Sequence, residues 1–326
     1  MAHVVIFAPS PLVTVTIEDD ADGPDLHVHA GGQGVWQARM LRTLGAEVTL
    51  CATLTGELGE IAGHILEDDG IRVAAIRRGG RGAGYVHDRR TGERTSILEQ
   101  EGDALSRHDL DDLYALTLRE AMAADLVLLS GPADDATLPD DVYRRLASDV
   151  RAAGGRVIVD LAGSRLDAAV EGGVLLAKAS DEELLESGHA ADASVEAFID
   201  AARVLRDAGA EHVLVTRADH PSLLVTSEGA FSIHVPRMEA VDARGAGDSF
   251  TAATTAALLD GDEVADAVQL GAAAAALNVT RHGLASGDAE AIRRLRAEVG
   301  IEPVRGDGAG QVSPAELAGR VEEVNP

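Results

Sequence analysis

The chain has 326 residues, of which 46% are hydrophobic and only 2% aromatic, and its formal net charge is −27. That length suits one large α/β domain or two small ones, with a core drawn from Ala, Val, Leu and Ile. The acidic balance argues against nucleic-acid or anionic-membrane partners, and the single Cys51 excludes an internal disulfide and fits a reducing compartment. No basic-then-apolar leader and no apolar run of membrane-spanning length is present, so a soluble cytoplasmic protein is expected.

Residues 3–8 are a short apolar run, read as a buried first strand. Residues 13–17 and 26–29 alternate apolar with polar side chains around a turn at 19–23, the pattern of a half-exposed hairpin. Gly31, Gly32 and Gly34 lead into a helix predicted over 34–44, followed by a buried strand at 48–52 and a helix at 57–69 ended by Gly70. From 77 to 97 alternating strands return, with Arg89-Arg90-Thr91-Gly92-Glu93 as a hairpin turn. The two alternating regions, about 12–30 and 77–100, read together as a small β lid.

Beyond residue 106 the pattern becomes regular. Helices predicted at 106–123, 139–153 and 194–208 precede apolar strands at 125–130, 156–160 and 212–216, which implies a parallel sheet covered on both faces. Ligands of such sheets bind beyond the carboxyl ends of the strands. Ser130-Gly131-Pro132, Asp160-Leu161-Ala162-Gly163 and Thr216-Arg217 fall there. Helices at 248–260 and 262–280 close a domain expected to span 1–304, and 305–326 reads as a Gly-rich linker and tail.

The chemistry concentrates in Val241-Asp242-Ala243-Arg244-Gly245-Ala246-Gly247-Asp248-Ser249-Phe250. An Ala/Thr/Leu-rich helix follows at once, so Gly245, Ala246 and Gly247 form its first turn. Free N–H groups and the positive end of the helix dipole make an anion site there. Asp248 adds a carboxylate beside it, the pairing that phosphoryl transfer to a hydroxyl needs. Its plain alternative is an aspartate favoured at a helix start by the dipole alone. A dinucleotide fingerprint fails at Phe250, as it does at Gln37 for the earlier glycine pair, and no P-loop pattern is present.

This stretch resembles the C-terminal signature of the ribokinase-like (PfkB) carbohydrate kinases, usually Asp-Thr-x-Gly-Ala-Gly-Asp. Gly31-Gly32-Gln33-Gly34-Val35-Trp36-Gln37-Ala38-Arg39, followed by Leu44-Gly45, is similar to that family's N-terminal glycine motif. The resemblance covers roughly residues 3–300 and is nearest the 1-phosphofructokinase and tagatose-6-phosphate kinase branch. It implies a doubly wound, mostly parallel α/β sheet with a β lid, and ATP- and Mg²⁺-dependent phosphorylation of a hydroxyl on a sugar or sugar phosphate. By the same resemblance Asp248 is the base, and Gly245, Ala246 and Gly247 form the anion hole. Lys178 lies near the nucleotide phosphates, Glu183 helps hold the Mg²⁺ water shell, and Thr216, Arg244, Asn278 and His282 fall on the nucleotide side. The family's Lys-Pro-Asn-x-x-Glu reads here Lys178-Ala179-Ser180-Asp181-Glu182-Glu183, which also reads as an acidic helix start capped by Ser180.

The acceptor side departs from the family. Ser10-Pro11-Leu12-Val13-Thr14 stands for Asn-Pro-Ala-x-Asp, and Gln33 and Trp36 replace a lysine and an asparagine beside Gly32. Trp36 is either a packing residue or a stacking surface for a sugar or base. Seven arginines between Arg72 and Arg94 face only Asp88 and Glu93 in that window, so lid arginines such as Arg81, Arg89 or Arg94 are candidates to grip an acceptor phosphate. The plain alternative is a solvated hairpin. A nucleoside kinase of the same fold and a degenerate, non-catalytic binding protein stay open, as does a homodimer through the lid edges.

Overall fold

The computed structural model describes residues 2–20, 23–92, 94–132, 137–236, 244–280 and 287–304. The tail expected over 305–326, Glu93 and His282 lie outside the described residues. The first half of the chain runs β1 (His3–Phe7), β2 (Leu12–Asp20), β3 (Gly23–Gly31), α1 (Gln33–Thr43), β4 (Glu47–Thr55), α2 (Gly56–Asp68), β5 (Arg72–Arg78), β6 (Gly84–Asp88), β7 (Thr95–Gln100), α3 (Arg107–Ala121), β8 (Leu126–Ser130), α4 (Asp141–Ala152) and β9 (Val157–Asp160). The second half runs α5 (Gly163–Gly172), β10 (Val174–Ser180), α6 (Asp181–Glu186), α7 (Val195–Ala208), β11 (Ala210–Thr216), β12 (Ser222–Thr226), β13 (Gly229–His234), α8 (Ala246–Leu259), α9 (Val264–Val279), α10 (Ala289–Arg296) and β14 (Gly300–Pro303).

Ten strands form the large sheet in the order β14-β13-β12-β11-β10-β9-β8-β1-β4-β5. From β11 to β5 the neighbours are parallel; β12, β13 and β14 extend that edge in antiparallel fashion. The short apolar runs have no polar face because both faces are covered. Val4, Ile6 and Ala8 point into one core with residues of α1, α2, α8, α9 and α10. Val5 and Phe7 point into the other, with residues of α3, α4, α5, α6 and α7. Among the described residues no helix is long and apolar enough to cross a membrane.

The lid is the second sheet, in the order β3-β2-β6-β7, with β2 and β6 parallel. Its second limb is shorter than the alternation suggested: β5, which carries Arg77 and Arg78, is the edge of the large sheet and not part of the lid. The strands β10, β12, β13 and β14 go beyond the elements predicted from the sequence. Lys178 interrupts the apolar run of β10, and a charge in mid-run hides a strand whose neighbours neutralise it. The others are an antiparallel addition that breaks the helix–strand rhythm.

Helix α8 is buried from Ser249 to Leu258 and packs along α9. The two approach closely at Gly271, where an added Cβ would lie 2.2 Å from Thr254 Oγ1 and 2.4 Å from the Phe250 ring. In a solvent-facing helix, glycine to alanine gains about 1 kcal/mol. Here the clash reverses the sign. Gly271→Ala is expected to cost roughly 1–3 kcal/mol, read as a lower urea midpoint at unchanged slope; an unchanged or higher midpoint would refute the close packing.

Candidate active site

The parallel register fixes the floor of the site. Ser130 at the end of β8, Asp160 at the end of β9 and Lys178 on β10 are lateral partners across three adjacent strands. Each stands two residues beyond Leu128, Ile158 or Leu176, which point into the core under α1 and α8. The three polar side chains therefore emerge on that same face. Lys178 Nζ donates to Asp160 Oδ1 at 2.9 Å, with the two side chains 7% and 1% exposed. The second carboxylate oxygen accepts from Thr251 Oγ1 on α8 at 2.7 Å and from Gln37 Nε2 on α1 at 3.0 Å. Ser130 Oγ donates to Gln37 Oε1, and the Tyr143 hydroxyl donates to the Ser130 carbonyl at 3.0 Å. A buried ion pair is tolerated only when its remaining lone pairs are filled in this way. Helix α1 reaches the strand ends because Gly34 lies against β1; a Cβ there would be 2.5 Å from that of Ala8.

Above this floor stands the start of α8. Gly245 precedes its first residue with φ 73°, left-handed backbone, and as the N-cap it has no side chain to offer the free N–H groups. The loop is pinned from behind: Asn278, buried at the end of α9, donates Nδ2 to the Arg244 carbonyl at 2.7 Å. Ser249 Oγ donates to Asn278 Oδ1 at 3.4 Å. Lys178 lies directly under the turn, since a Cβ on Gly247 would be 3.2 Å from its Nζ. Asp248 is half-buried, with Gln37 Nε2 3.5 Å from its Oδ1.

The charges explain one another. Burial first, then the Asp160 and Glu183 carboxylates, push the Asp248 carboxyl up to about 8 against the opposing pull of Lys178. Burial disfavours the charge on Lys178, but Asp160, Glu183 and Asp248 outweigh it and hold the ammonium protonated beyond the ordinary lysine range. The site is a carboxyl poised near neutrality beside an amine that keeps its proton.

The remaining predicted residues distribute unevenly. Glu183 sits in the first turn of α6; Ser180 N donates to its Oε2 at 2.7 Å and its own N donates to Ser180 Oγ at 3.2 Å. That is the capping box of the plain reading, yet Glu183 also lines a cavity of about 570 Å³ together with Asp160, Gln33 and Arg165. Thr216 ends β11 as the lateral partner of Ser180. Gln33 reaches across to the β8 loop, its Oε1 accepting from Gly131 N at 2.7 Å. Gly32 caps α1 beside it, and Thr14 leans over the adjacent Gly31, its Oγ1 3.1 Å from where a Cβ would be. Trp36 packs against the core, and Arg39 covers one face of its ring at 4.7 Å. Arg89 is not gathered with the others: Glu18 of the neighbouring lid strand holds it at 3.5 Å.

Among the described residues no three His, Cys, Asp or Glu side chains group to cage a metal. Mg²⁺ keeps most of its waters and needs only one or two carboxylates plus phosphate oxygens. Asp160 and Glu183, on one cavity wall, fit an ion held that way. The sequence placed Asp160 in a loop after a strand without assigning it a role. The available signal was a charged residue closing an apolar strand of a parallel sheet, which must find a partner once buried. Gln37 and Thr251 carry no such signal, because their importance lies in which helix face meets Asp160.

Residues 9–291 match the pfkB family of carbohydrate kinases. The chain is 28% identical over 274 residues to 1-phosphofructokinase of Bacillus subtilis, spanning 84% of this chain and 88% of that one. It is 27% identical over 311 residues to ATP-dependent 6-phosphofructokinase isozyme 2 of Mycobacterium tuberculosis, spanning 92% and 91%. Its fold matches that of phosphofructokinase-2 from Escherichia coli with a TM-score of 0.78 at 22% identity, over 91% of this chain and 99% of that one. A possible 1-phosphofructokinase from Thermotoga maritima matches with a TM-score of 0.81 at 18% identity, over 93% and 100%. With the match running through both glycine motifs and the strand ends between them, the chain belongs to the pfkB family of carbohydrate kinases.

Proposed function

We propose that this chain transfers the terminal phosphoryl group of ATP to a hydroxyl of a sugar phosphate, in the manner of a 1-phosphofructokinase. The observation that carries the reading is Asp248, half-buried at an uncapped helix start with the Lys178 ammonium beneath the same turn. The acceptor lies between lid and sheet. Asp248 takes the hydroxyl proton as the oxygen attacks phosphorus, and the N–H groups of Gly245, Ala246 and Gly247 receive the charge that develops on the transferred group. Lys178 keeps its proton throughout and adds a fixed positive charge. Mg²⁺, which Asp160 and Glu183 would hold through water, supplies neutralisation of the triphosphate. Thr216, Arg244 and Asn278 fall to the nucleotide side, and Thr14, Gly32, Gln33 and Trp36 to the acceptor side. The relatives' names, 1-phosphofructokinase and ATP-dependent 6-phosphofructokinase isozyme 2, support a sugar phosphate as acceptor.

The lid also supports a partner: a second copy of this chain. Ile17, Leu26, Val28, Val86 and Leu98 share one lid face by register, and Leu26, Val28 and Leu98 are 63%, 48% and 56% exposed. Apolar area of this kind is uncommon on a surface that stays in water.

Measurements on the catalytic carboxyl and on the lid test these readings. Asp248→Asn lowers kcat roughly 10²–10⁴-fold with ATP binding within a few-fold, measured by ADP release and calorimetry; retention of most of the rate would remove the assigned role. The folded-state pKa of Asp248 lies above the unfolded one, so its contribution to stability is complete below pH 3.8 and is lost as pH rises through about 8. The same variant therefore melts higher than wild type at pH 9, and kcat/KM of wild type climbs with pH toward about 8. Asp160→Asn, which removes a negative neighbour, moves that limb down by about one unit whatever becomes of the plateau; an unmoved limb would contradict the coupling. Leu26→Asp with Leu98→Asp halves the mass seen by light scattering, and an unchanged mass would dismiss the lid interface.

A further inference from the structure

The other lid face carries a buried hydrogen-bond donor that meets no acceptor among the described residues. Thr14 and Thr16 on β2 stand beside Tyr85 and His87 on β6 in parallel register, and His29 and His27 on β3 oppose the same two threonines. These six side chains share one face. His87 is the most enclosed ring among them, 3% exposed. The Arg94 guanidinium bonds to its Nε2. Arginine has donors only, so Nε2 is the accepting nitrogen, and in the neutral ring the proton resides on Nδ1. Among the described residues Nδ1 is buried without a hydrogen-bond partner. Burial first, then the Arg94 and Arg244 charges, lower the ring's pKa against the opposing Glu99, which keeps it neutral. Arg244, which directly precedes Gly245, acts on the ring, and Thr14 on the same face lies against Gly31, one residue before the Gly32 cap of α1, so the face borders the two glycine turns. An unmade buried hydrogen bond costs more than a made one gains, so the ring is stabilised by an acceptor brought to this face.

We infer that His87, through Nδ1–H, donates a hydrogen bond to an oxygen of the phosphoryl acceptor, and that Arg94 is the positioning residue that fixes its tautomer. The inference rests on reading the cleft as an alcohol kinase. The ligand atom is a hydroxyl, carbonyl or phosphate oxygen, since a neutral N–H asks only for a lone pair. It supplies a lid-side contact in a chain whose positions 14, 33 and 36 depart from the family's acceptor motifs.

The test compares wild type, His87→Gln, His87→Asn and Arg94→Met by ADP release at saturating ATP, with fructose 1-phosphate and fructose 6-phosphate as acceptors. Asparagine sets an amide N–H near the former Nδ1. Glutamine reaches toward the Nε2 position and leaves the Nδ1 position empty. His87→Gln raises the acceptor KM roughly tenfold while the ATP KM stays within twofold, and His87→Asn restores most of the loss. An acceptor KM for His87→Gln within twofold of wild type overturns the inference and leaves the kinase reading intact. Nitrogen-15 shifts of the free protein show a protonated Nδ1 and a bare Nε2 at His87, and a mixture of tautomers in Arg94→Met; the opposite tautomer in wild type likewise overturns the inference alone. If wild type turns over neither sugar phosphate, the proposed acceptor class falls and the inference falls with it.

Discussion

The site depends on one buried ion pair, Lys178 with Asp160. An ammonium or a carboxylate alone at the strand ends would be driven to neutrality or pulled toward water. Together they are stable there because a strand register puts them side by side, and because a threonine from α8 and an amide from α1 fill the second carboxylate oxygen. The same bonds tie both helices to the sheet at the point where chemistry is expected. Removing Asp160 would therefore disturb the charge on Lys178, the seat of α8 and the electrostatics of Asp248 together. Substitutions within this cluster are not expected to be additive.

Much of this was legible in the order of residues, for reasons that can be named. The glycine turn ahead of an all-apolar helix announces an anion site because backbone geometry and dipole do not depend on what surrounds them. The alternation of helix and short apolar strand announces a covered parallel sheet because nothing else buries such strands on both faces. The resemblance expects Lys178 near the nucleotide phosphates without saying which element carries it, and it stands inside β10. Its nearness to the anion turn is real, but it comes through packing against Gly247 and pairing with a strand neighbour 18 residues away. Which strands are neighbours is a property of topology, and a single sequence does not carry it.

The arginine-rich stretch shows the same limit from the opposite side. Counted along the chain, seven arginines against two acids suggest an electropositive cover. In the fold, Arg72, Arg77, Arg78, Arg81 and Arg89 meet Glu120, Glu60, Asp109, Asp103 and Glu18, all from outside that stretch, and Arg90 meets Asp88. A chain of net charge −27 has acids to spare, and folding brings them to the local excess. What remains on the lid is chemically more specific than a field: threonine hydroxyls and imidazole rings on one face, exposed leucine and valine on the other.

The two lid faces and the raised Asp248 carboxyl follow one physical pattern. Among the described residues each is a group held where the isolated protein has no full use for it: a carboxyl that burial and two like charges disfavour as an anion, a ring N–H without an acceptor, an apolar surface without a cover. Stability alone selects against all three. A fold keeps such groups when another molecule completes them, and the partners asked for differ in kind: an alcohol proton for the carboxylate, an oxygen lone pair for the imidazole, hydrocarbon for the leucines. On the proposed reading the first two partners are atoms of a single small polyol between sheet and lid. The third lies on the far side of the same four strands, so whatever covers it also bears on how the lid is held over the cleft.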